Sequence, residues 1–408
     1  MHEHEVGLTR LEHELLLWIV ASGLAAEDET ALLDGVCARL VAAGVPLWRV
    51  ATGADVLHPL LDARGCRWQR GQGVVREEFA REELEDETRN ESWLRSPFHR
   101  LVREPECREL RRSLEAGHRP GEFPLLDGFR AQGATDYLAF AVDTGATGVR
   151  RSGVLCSYTI DRPGGFRPAE IGLLRRVTQA MALGFKAIGA AETTRMLART
   201  YLGADAGARV LDGAIARGLT ETVRAVLWYS DLEGFTRIAD TAPSDALLAL
   251  LNDYAEAVVT SVQGAGGQVL KFIGDGVLAM FPLGEDTAPC SRALDAAEEL
   301  LDAVDGMGRA RRQAGLLATD IHVALHLGEV LYGNIGSRDR LDFTVVGPAV
   351  NEVARIESLC RSLEQRVIVS SAFAAASGKA HNRLVSLGRY ALKGVRRPEE
   401  LFTLDRGA

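Results

Sequence analysis

Two carboxylates sit at the ends of apolar runs, each beside a glycine turn. Asp231 ends the run Ala225-Val-Leu-Trp-Tyr-Ser and is followed by Leu232, Glu233 and Gly234. Asp275 lies in Lys271-Phe-Ile-Gly-Asp-Gly276, ahead of a second apolar run from Val277 to Phe281. A glycine turn between alternating apolar residues is the sign of a β-hairpin, so Asp275 is expected at a hairpin tip. Hard oxygen donors on strand ends suit Mg²⁺ or Mn²⁺, which also keep positions for water and substrate oxygens. The competing account of Asp231 is a cap for the helix that follows. A second pair, Asn351 and Arg355, is four residues apart in a segment of helical pattern and therefore shares one face. A neutral amide beside a guanidinium suits an anionic, phosphorane-like transition state. In isolation such a pair would be ordinary solvated surface.

The elements that must position these residues follow from periodicity. The opening strand leads into an amphipathic helix, Pro243 to Gln263, stopped by Gly264-Ala-Gly-Gly267. The hairpin of residues 268–281 comes next, then a helix over 289–313 and a strand Ile321–Leu327. A strand Leu341–Val346, a helix Ala349–Cys360 and a strand Val367–Ser370 complete the order. This βαββαβ order is ferredoxin-like, an architecture that hosts many functions and by itself decides none.

The first half reads differently. Apolar spacing predicts helices over residues 8–22 and 28–44, with Gly44 and Pro46 as stop signals. Strands are expected at Leu47–Thr52, Cys66–Gln69, Asp136–Val142 and Gly153–Tyr158. The charge-dense stretch from Arg76 to Arg112 reads as a solvated face or an excursion without a chemical role. A long helix is expected from Ala169 to Arg199, and a short one from Ala206 to Ala216. Helix, helix, several strands, helix resembles the element order of a GAF-type sensory domain, with no motif behind it. His58, His99 and His118 could bind a cofactor there, although a lone histidine is more often hydrogen-bonded or at the surface. The expected organisation is α+β throughout: a GAF-like domain over residues 1–190, a helical linker over 191–222, and a second domain over 223–408.

The second domain carries a stronger signal. Ser230-Asp-Leu-Glu-Gly-Phe-Thr236, Gly267-Gln-Val-Leu-Lys-Phe-Ile-Gly-Asp-Gly276 and Phe343-Thr-Val-Val-Gly-Pro-Ala-Val-Asn-Glu-Val-Ala-Arg-Ile-Glu357 resemble the class III nucleotidyl cyclases. Ala391-Leu-Lys-Gly-Val395 with Glu400-Leu-Phe-Thr-Leu404 matches the end of that family's domain. The resemblance spans residues 222–405. It implies an adenylate cyclase, in which the ribose 3′-hydroxyl of ATP attacks the α-phosphorus to give 3′,5′-cyclic AMP and pyrophosphate. Two divalent ions, Mg²⁺ or Mn²⁺, would lower the hydroxyl's pKa and neutralise the phosphates. Asp231 and Asp275 are the family's metal positions, and Leu232 is counted with them. The backbone from Leu232 through Gly234 and Phe235 to Thr236 turns into a helix and can donate to phosphate oxygens.

Asn351 and Arg355 match the family's transition-state pair. Lys271 and Thr344 match the positions that read the base. A lysine can donate to adenine N1, where guanine presents a donor of its own; guanylate-specific members carry an acidic residue there. Thr344 departs from the commoner aspartate and resembles a threonine subgroup that includes bicarbonate-responsive cyclases. Lys393 matches a C-terminal lysine that reaches the triphosphate. In this family the metal aspartates and the base-reading residues come from different domains, so one chain holding all of them implies a homodimer with shared sites. A guanylate or dual-specificity cyclase and a non-catalytic nucleotide-binding regulator are the alternatives. A diguanylate cyclase would carry a GGDEF-like hairpin where this chain has Gly274-Asp-Gly276.

Composition sets outer bounds. A chain of 408 residues with net charge −9 lacks the basic balance of a general nucleic-acid binder. Six scattered cysteines, without CxxC or metal-ligand spacing, read as free thiols of a reducing compartment. The longest early apolar run, Leu15 to Leu24, is too short to cross a bilayer. A cytoplasmic protein with no membrane or nucleic-acid partner is expected, receiving an unidentified signal at its N-terminal domain.

Overall fold

A computed structural model describes residues 2–25, 28–80, 91–104, 106–115, 117–147, 150–283, 288–394 and 397–405. The chain divides into two compact units, Met1–Met196 and Leu197–Ala408.

In the first unit, helices α1 (His2–Leu24) and α2 (Glu29–Ala42) precede strands β1 (Leu47–Asp55), β2 (Leu61–Gln69) and β3 (Gly73–Ala80). Short helices α3 (Glu91–Leu94) and α4 (Pro97–Arg103), strand β4 (Glu109–Ser113), helix α5 (Pro124–Ala131), and strands β5 (Asp136–Thr147) and β6 (Arg150–Ile160) follow. Helix α6 runs from Pro168 to Leu202, and the division between units falls inside it. The strands form one antiparallel sheet in the order β3-β2-β1-β6-β5-β4. Alternation along the strands gives it two apolar faces. Leu138 and Phe140 of β5 join α1, α2 and α6 in one core, through Leu15, Ile19, Leu33, Val36, Leu174 and Met181. Tyr137 and Ala139 face the other way, onto Leu101 of α4 and Leu126 and Phe129 of α5.

Part of the charge-dense stretch is regular structure, and its strand β3 has no buried residue, in keeping with a solvated face. β3 pairs with β2 from Gln69↔Gly73 to Leu61↔Ala80, and α3, α4 and β4 come after it. β3 is an edge strand whose residues are at most half-buried, and such a strand tolerates charge that hides its period. Residues 81–90, the centre of that stretch, lie outside the described residues. All six cysteines are free, and five of them are buried.

The second unit opens with helix α7 (Ala204–Leu211) and the 13-residue strand β7 (Thr220–Leu232). A one-turn helix α8 (Phe235–Ala239), helix α9 (Ser244–Gly264) and the hairpin β8 (Gln268–Ile273) and β9 (Gly276–Pro282) lead to helix α10 (Pro289–Gln313). Strands β10 (Ile321–Gly336) and β11 (Leu341–Val346), helix α11 (Pro348–Glu357), strand β12 (Val367–Ser370), helix α12 (Ser371–Ala376), and strands β13 (Leu384–Tyr390) and β14 (Glu399–Leu404) finish the unit. The sheet order is β13-β14-β12-β10-β7-β9-β8, with β11 paired to the far half of β10. Its β10-β7-β9-β8 portion is antiparallel throughout, the arrangement of a βαββαβ ferredoxin-like core.

β7 is central, and its residues Ala225 to Trp228 are fully buried, which explains their continuous apolar run. Val226 and Trp228 face α9 and α10, while Ala225 and Leu227 face α7 and α11. β10 extends nine residues beyond the expected Leu327 because Gly328 interrupts the apolar pattern without ending the strand. A Cβ at Gly328 would lie 2.4 Å from the Ala349 Cβ, so only glycine lets α11 approach β10 this closely. Among the described residues no helix is long and apolar enough to cross a membrane.

Candidate active site

Asp231 and Asp275 come together because β7 and β9 are neighbours. Their register pairs Ser230 with Val277, which sets Asp231 beside the β8–β9 turn. Ile273 pairs with Gly276, so Gly274 and Asp275 are the two turn residues. Gly274 takes a φ of 66°, a left-handed conformation that its lack of a Cβ makes inexpensive. The Leu232 backbone N–H donates to Asp275 Oδ2 at 3.2 Å and ties the strand end to the turn.

The electrostatics of this corner are distinctive. Burial, a hydrogen bond with Asp275 and the negative charges of Asp275 and Glu357 push the Asp231 carboxyl up to about 8. Burial and the Asp275 charge push Glu357, at the end of α11, up to about 7. Tyr229 is raised as well, by burial and then by Asp231, Glu357 and Asp275, which places all four groups around one point. No cation pairs with Asp231 or Asp275 among the described residues; a base, His322, lies 3.8 Å from Glu357 through Nδ1, and burial lowers its pKa. Concentrated negative charge of this kind fits a hard divalent cation. Among the described residues no three His, Cys, Asp or Glu side chains are placed to hold a metal by themselves. Two aspartates with the remaining positions left to water and substrate oxygens is the way Mg²⁺ is usually bound.

Lys271 lies on β8, and its Nζ is 2.9 Å from Oδ2 of Asp342 on β11. Thr344, two residues further along β11, is 3% exposed, and its hydroxyl has no hydrogen-bond partner among the described residues. On α11, Asn351 is exposed and Arg355 half-buried, while Ala349, Val353 and Ile356 turn inward and anchor the helix. His326 on β10 holds the same helix from beneath. Its Nδ1 is 2.8 Å from Ser370 Oγ and its Nε2 is 3.2 Å from Glu352 Oε2. Burial lowers His326 to about 4, so near neutral pH these are contacts of an uncharged ring. The chain returns past α11 at Gly394, where a Cβ would be 3.5 Å from the Arg355 guanidinium; Lys393 is its exposed neighbour.

The family described as "Adenylate and Guanylate cyclase catalytic domain" matches residues 220–406. Residues 220–406 are a class III cyclase catalytic domain. Similar proteins include an adenylate cyclase of Anabaena cylindrica, 29% identical over 157 residues, which are 38% of this chain and 30% of that protein. An uncharacterized protein of Mycobacterium tuberculosis is 30% identical over 240 residues, 58% of this chain and 42% of the other. The chain thus spans less than half the length of these curated relatives. Among solved structures, the adenylyl cyclase CyaB from P. aeruginosa is 22% identical with a TM-score of 0.42, covering 46% of this chain and 97% of that one.

Within the cyclase domain the residues singled out in the sequence fall into four groups. Asp231, Asp275 and Leu232 form the acidic corner, although Leu232 contributes a backbone donor to Asp275 and buries its side chain in the core. Gly234, with a φ of 66°, caps a helix of only five residues; Phe235 leans on the core and Thr236 is exposed. Lys271 and Thr344 belong to the β8 and β11 group, and Asn351, Arg355 and Lys393 to the α11 group. Sequence reasoning missed Glu357 and Asp342. Glu357 closes the quoted run Arg355-Ile-Glu357, and Asp342 shares the alternation of Thr344, so both had a signal. The three histidines of the first unit do not converge. The His58 ring accepts from Leu60 and Leu61 N–H groups, His118 meets Asp127 at 2.6 Å, and His99 packs edge-on to Trp93.

Proposed function

We propose that this protein is an adenylate cyclase that converts ATP to 3′,5′-cyclic AMP and pyrophosphate. The observation that carries the reading is the acidic corner at the end of β7, inside a domain that matches the cyclase family. Asp231 and Asp275 would hold two divalent ions, Mg²⁺ or Mn²⁺, and the proton that Asp231 would release on metal binding matches its unusually high pKa. Once bound, the ions acidify the ribose 3′-hydroxyl and neutralise the triphosphate. Lys271 donates to adenine N1, with Thr344 as the family's second base position. Asn351 orients the ribose and Arg355 offsets charge growing on the α-phosphate. Lys393, beside Gly394, reaches toward the triphosphate.

The active site in this proposal is shared by two copies of the chain. Leu248, Phe272 and Ile273 are exposed apolar residues, and Leu248 and Phe272 rim a cleft of about 270 Å³ that also includes Asp275. An apolar rim beside a carboxylate that has no cation partner among the described residues supports a docking face for a second catalytic domain. The N-terminal unit is read as a GAF-like sensory domain, supported by its antiparallel sheet between two helical layers. Its signal reaches the cyclase through residues 191–222. The proposal places the protein in the cytoplasm.

Assays of cyclic AMP from ATP and cyclic GMP from GTP, with Mn²⁺, test the reading directly. Cyclic AMP should dominate; dominant cyclic GMP would move the assignment to a guanylate cyclase, and neither product would end the enzyme reading. Asp231→Ala and Arg355→Ala chains should each be inactive and recover partial activity when mixed. Heterodimers that form without recovering activity would refute the shared site. Removing residues 1–196 should change rate or dimerisation if the first unit regulates.

A further inference from the structure

His326 is a buried side chain, 5% exposed, that the reaction above does not use. It lies on β10, and each ring nitrogen meets a polar partner on a different element. Nδ1 is 2.8 Å from Oγ of Ser370, and Nε2 is 3.2 Å from Oε2 of Glu352 on α11. An ionised carboxylate can only accept, so this contact favours the tautomer with its proton on Nε2. Nδ1 is then an acceptor, and the Ser370 hydroxyl donates to it. Ser370 Oγ in turn accepts from the Phe373 N–H at 3.2 Å as it caps α12. Donor and acceptor roles thus run in one sense from α12 through the ring to α11. Burial keeps the ring uncharged near neutral pH, which preserves the Nδ1 acceptor. Charge alone does not draw Glu352 to this place, because the carboxylate of Glu399 is close enough for Glu352 to help raise its pKa.

Apolar contact is non-directional, so the buried Ala349, Val353 and Ile356 set how deeply α11 lies better than they set its rotation. Gly328 lets Ala349 come close to β10 and serves the same depth. Helical residues advance about 100° each, which puts Glu352 about a quarter turn from the exposed Asn351, at the margin of the buried face. A directional contact at that margin resists turning. We propose that His326 is a positioning residue of the cyclase reaction: its contact with Glu352 sets the rotation of α11, and so the aim of Asn351 and Arg355. The inference rests on the adenylate cyclase reading and adds to it a group that touches neither substrate nor metal. A side chain reaches about 5–6 Å from the helix axis, so a rotation of about 10° moves its tip by about 1 Å. Misplacement on that scale costs up to about 10²-fold in rate. The competing account is a histidine that serves stability alone, and it predicts no particular effect on turnover.

The test is kcat and KM for ATP in His326→Leu, Glu352→Leu, Glu352→Gln and the double leucine variant, measured on the full chain. Each single leucine variant should lower kcat by about tenfold or more and leave KM within about threefold of the parent. Glu352→Gln, whose amide oxygen still accepts from the ring, should recover most of the loss. The double variant should be no slower than either single one, because both changes remove the same contact. Glu352 is partly exposed, so its variants keep the test open if His326→Leu fails to fold. An unchanged kcat in Glu352→Leu, or losses that multiply in the double variant, would overturn the assignment. Mixing His326→Leu with Asp231→Ala chains should restore activity, since one shared site then joins intact aspartates to an undisturbed α11. Failure there, where Arg355→Ala mixed with Asp231→Ala succeeds, would also overturn it. Hydrogen exchange along residues 348–357 reads the contact without turnover, and should quicken in Glu352→Leu but not in Glu352→Gln. A parent chain that makes no cyclic AMP would therefore sink the enzyme reading, while exchange would still decide whether His326 holds α11.

Discussion

Glu170 in the N-terminal unit and Asp231 in the catalytic unit are both carboxylates that burial pushes upward, but their neighbours differ. Burial of Glu170 is outweighed by a two-point contact with the Arg162 guanidinium, at 2.6 and 2.9 Å, and by the Arg167 backbone N–H at 2.9 Å. Its carboxyl ends below the usual range. Asp231 meets Asp275 and Glu357 instead, and rises to about 8. Glu29 is intermediate: burial raises it and Arg64, 3.0 Å away, offsets only part of the rise. The first unit spends its carboxylates on internal pairing, and the second leaves three of them facing each other. Pairing serves a fold, whereas an unanswered cluster costs stability and persists where a ligand supplies the missing charge.

The sharpest way to break this contrast is to remove each carboxylate. Asp275→Ala should lower cyclase kcat by about 10²–10³-fold or more, the scale of losing one electrostatic transition-state group. Asp231→Asn should be equally inactive, yet should unfold at a higher temperature than the parent at pH 8 without divalent ions. A lower melting temperature for that variant would show that the cluster has internal partners. Glu170→Gln should act in reverse, with little effect on cyclase activity and a loss of about 3 kcal/mol in the first unit. Thermal unfolding of the full chain reads it, and an unchanged transition would remove the pairing argument.

The pH dependence sharpens the same comparison. A carboxyl whose folded pKa is raised contributes stability below its unfolded pKa and loses it as pH rises through the folded value. For Asp231 and Glu357 the loss extends from about pH 4 up through about 7 and 8. Glu170, held low, contributes above its unfolded pKa and loses that as pH falls through its folded value. Mn²⁺ should therefore raise the melting temperature more above pH 8 than at pH 5, by roughly 2–4 °C for each kcal/mol of added binding. An equal shift at both pH values would argue against the acidic corner as the binding site. The smallest effect is expected at Thr344. Because its buried hydroxyl has no partner, Thr344→Val should stabilise by about 1 kcal/mol. A loss of stability in urea titration would reveal a partner the hydroxyl does have.

Much of the catalytic unit was legible because its signals are local. The helix expected over 289–313 is α10, started by Pro289 at its first position. The Gly-Asp-Gly hairpin is where its turn chemistry placed it, and β7 is the buried strand its apolar run describes. The edges were less legible. β3 hid among charges, β10 outran its apolar stretch past Gly328, and α5 gave too short a period to recognise.

The sequence alone determined the residue types and their local setting: two aspartates at strand ends, an amide and an arginine on one helical face, a lysine on a hairpin. These depend on turns and on periods of two and 3.6, which act over a few residues. Only the tertiary structure decided which of them face each other. It brought Glu357 to Asp275 and Asp342 to Lys271 by pairing β7, β8, β9, β10 and β11 in one sheet and laying α11 across it. It also covered the Thr344 hydroxyl while leaving Asp342, two residues earlier on the same strand, exposed. Burial and through-space charge set what a carboxylate does, and neither has any fixed relation to distance along the chain.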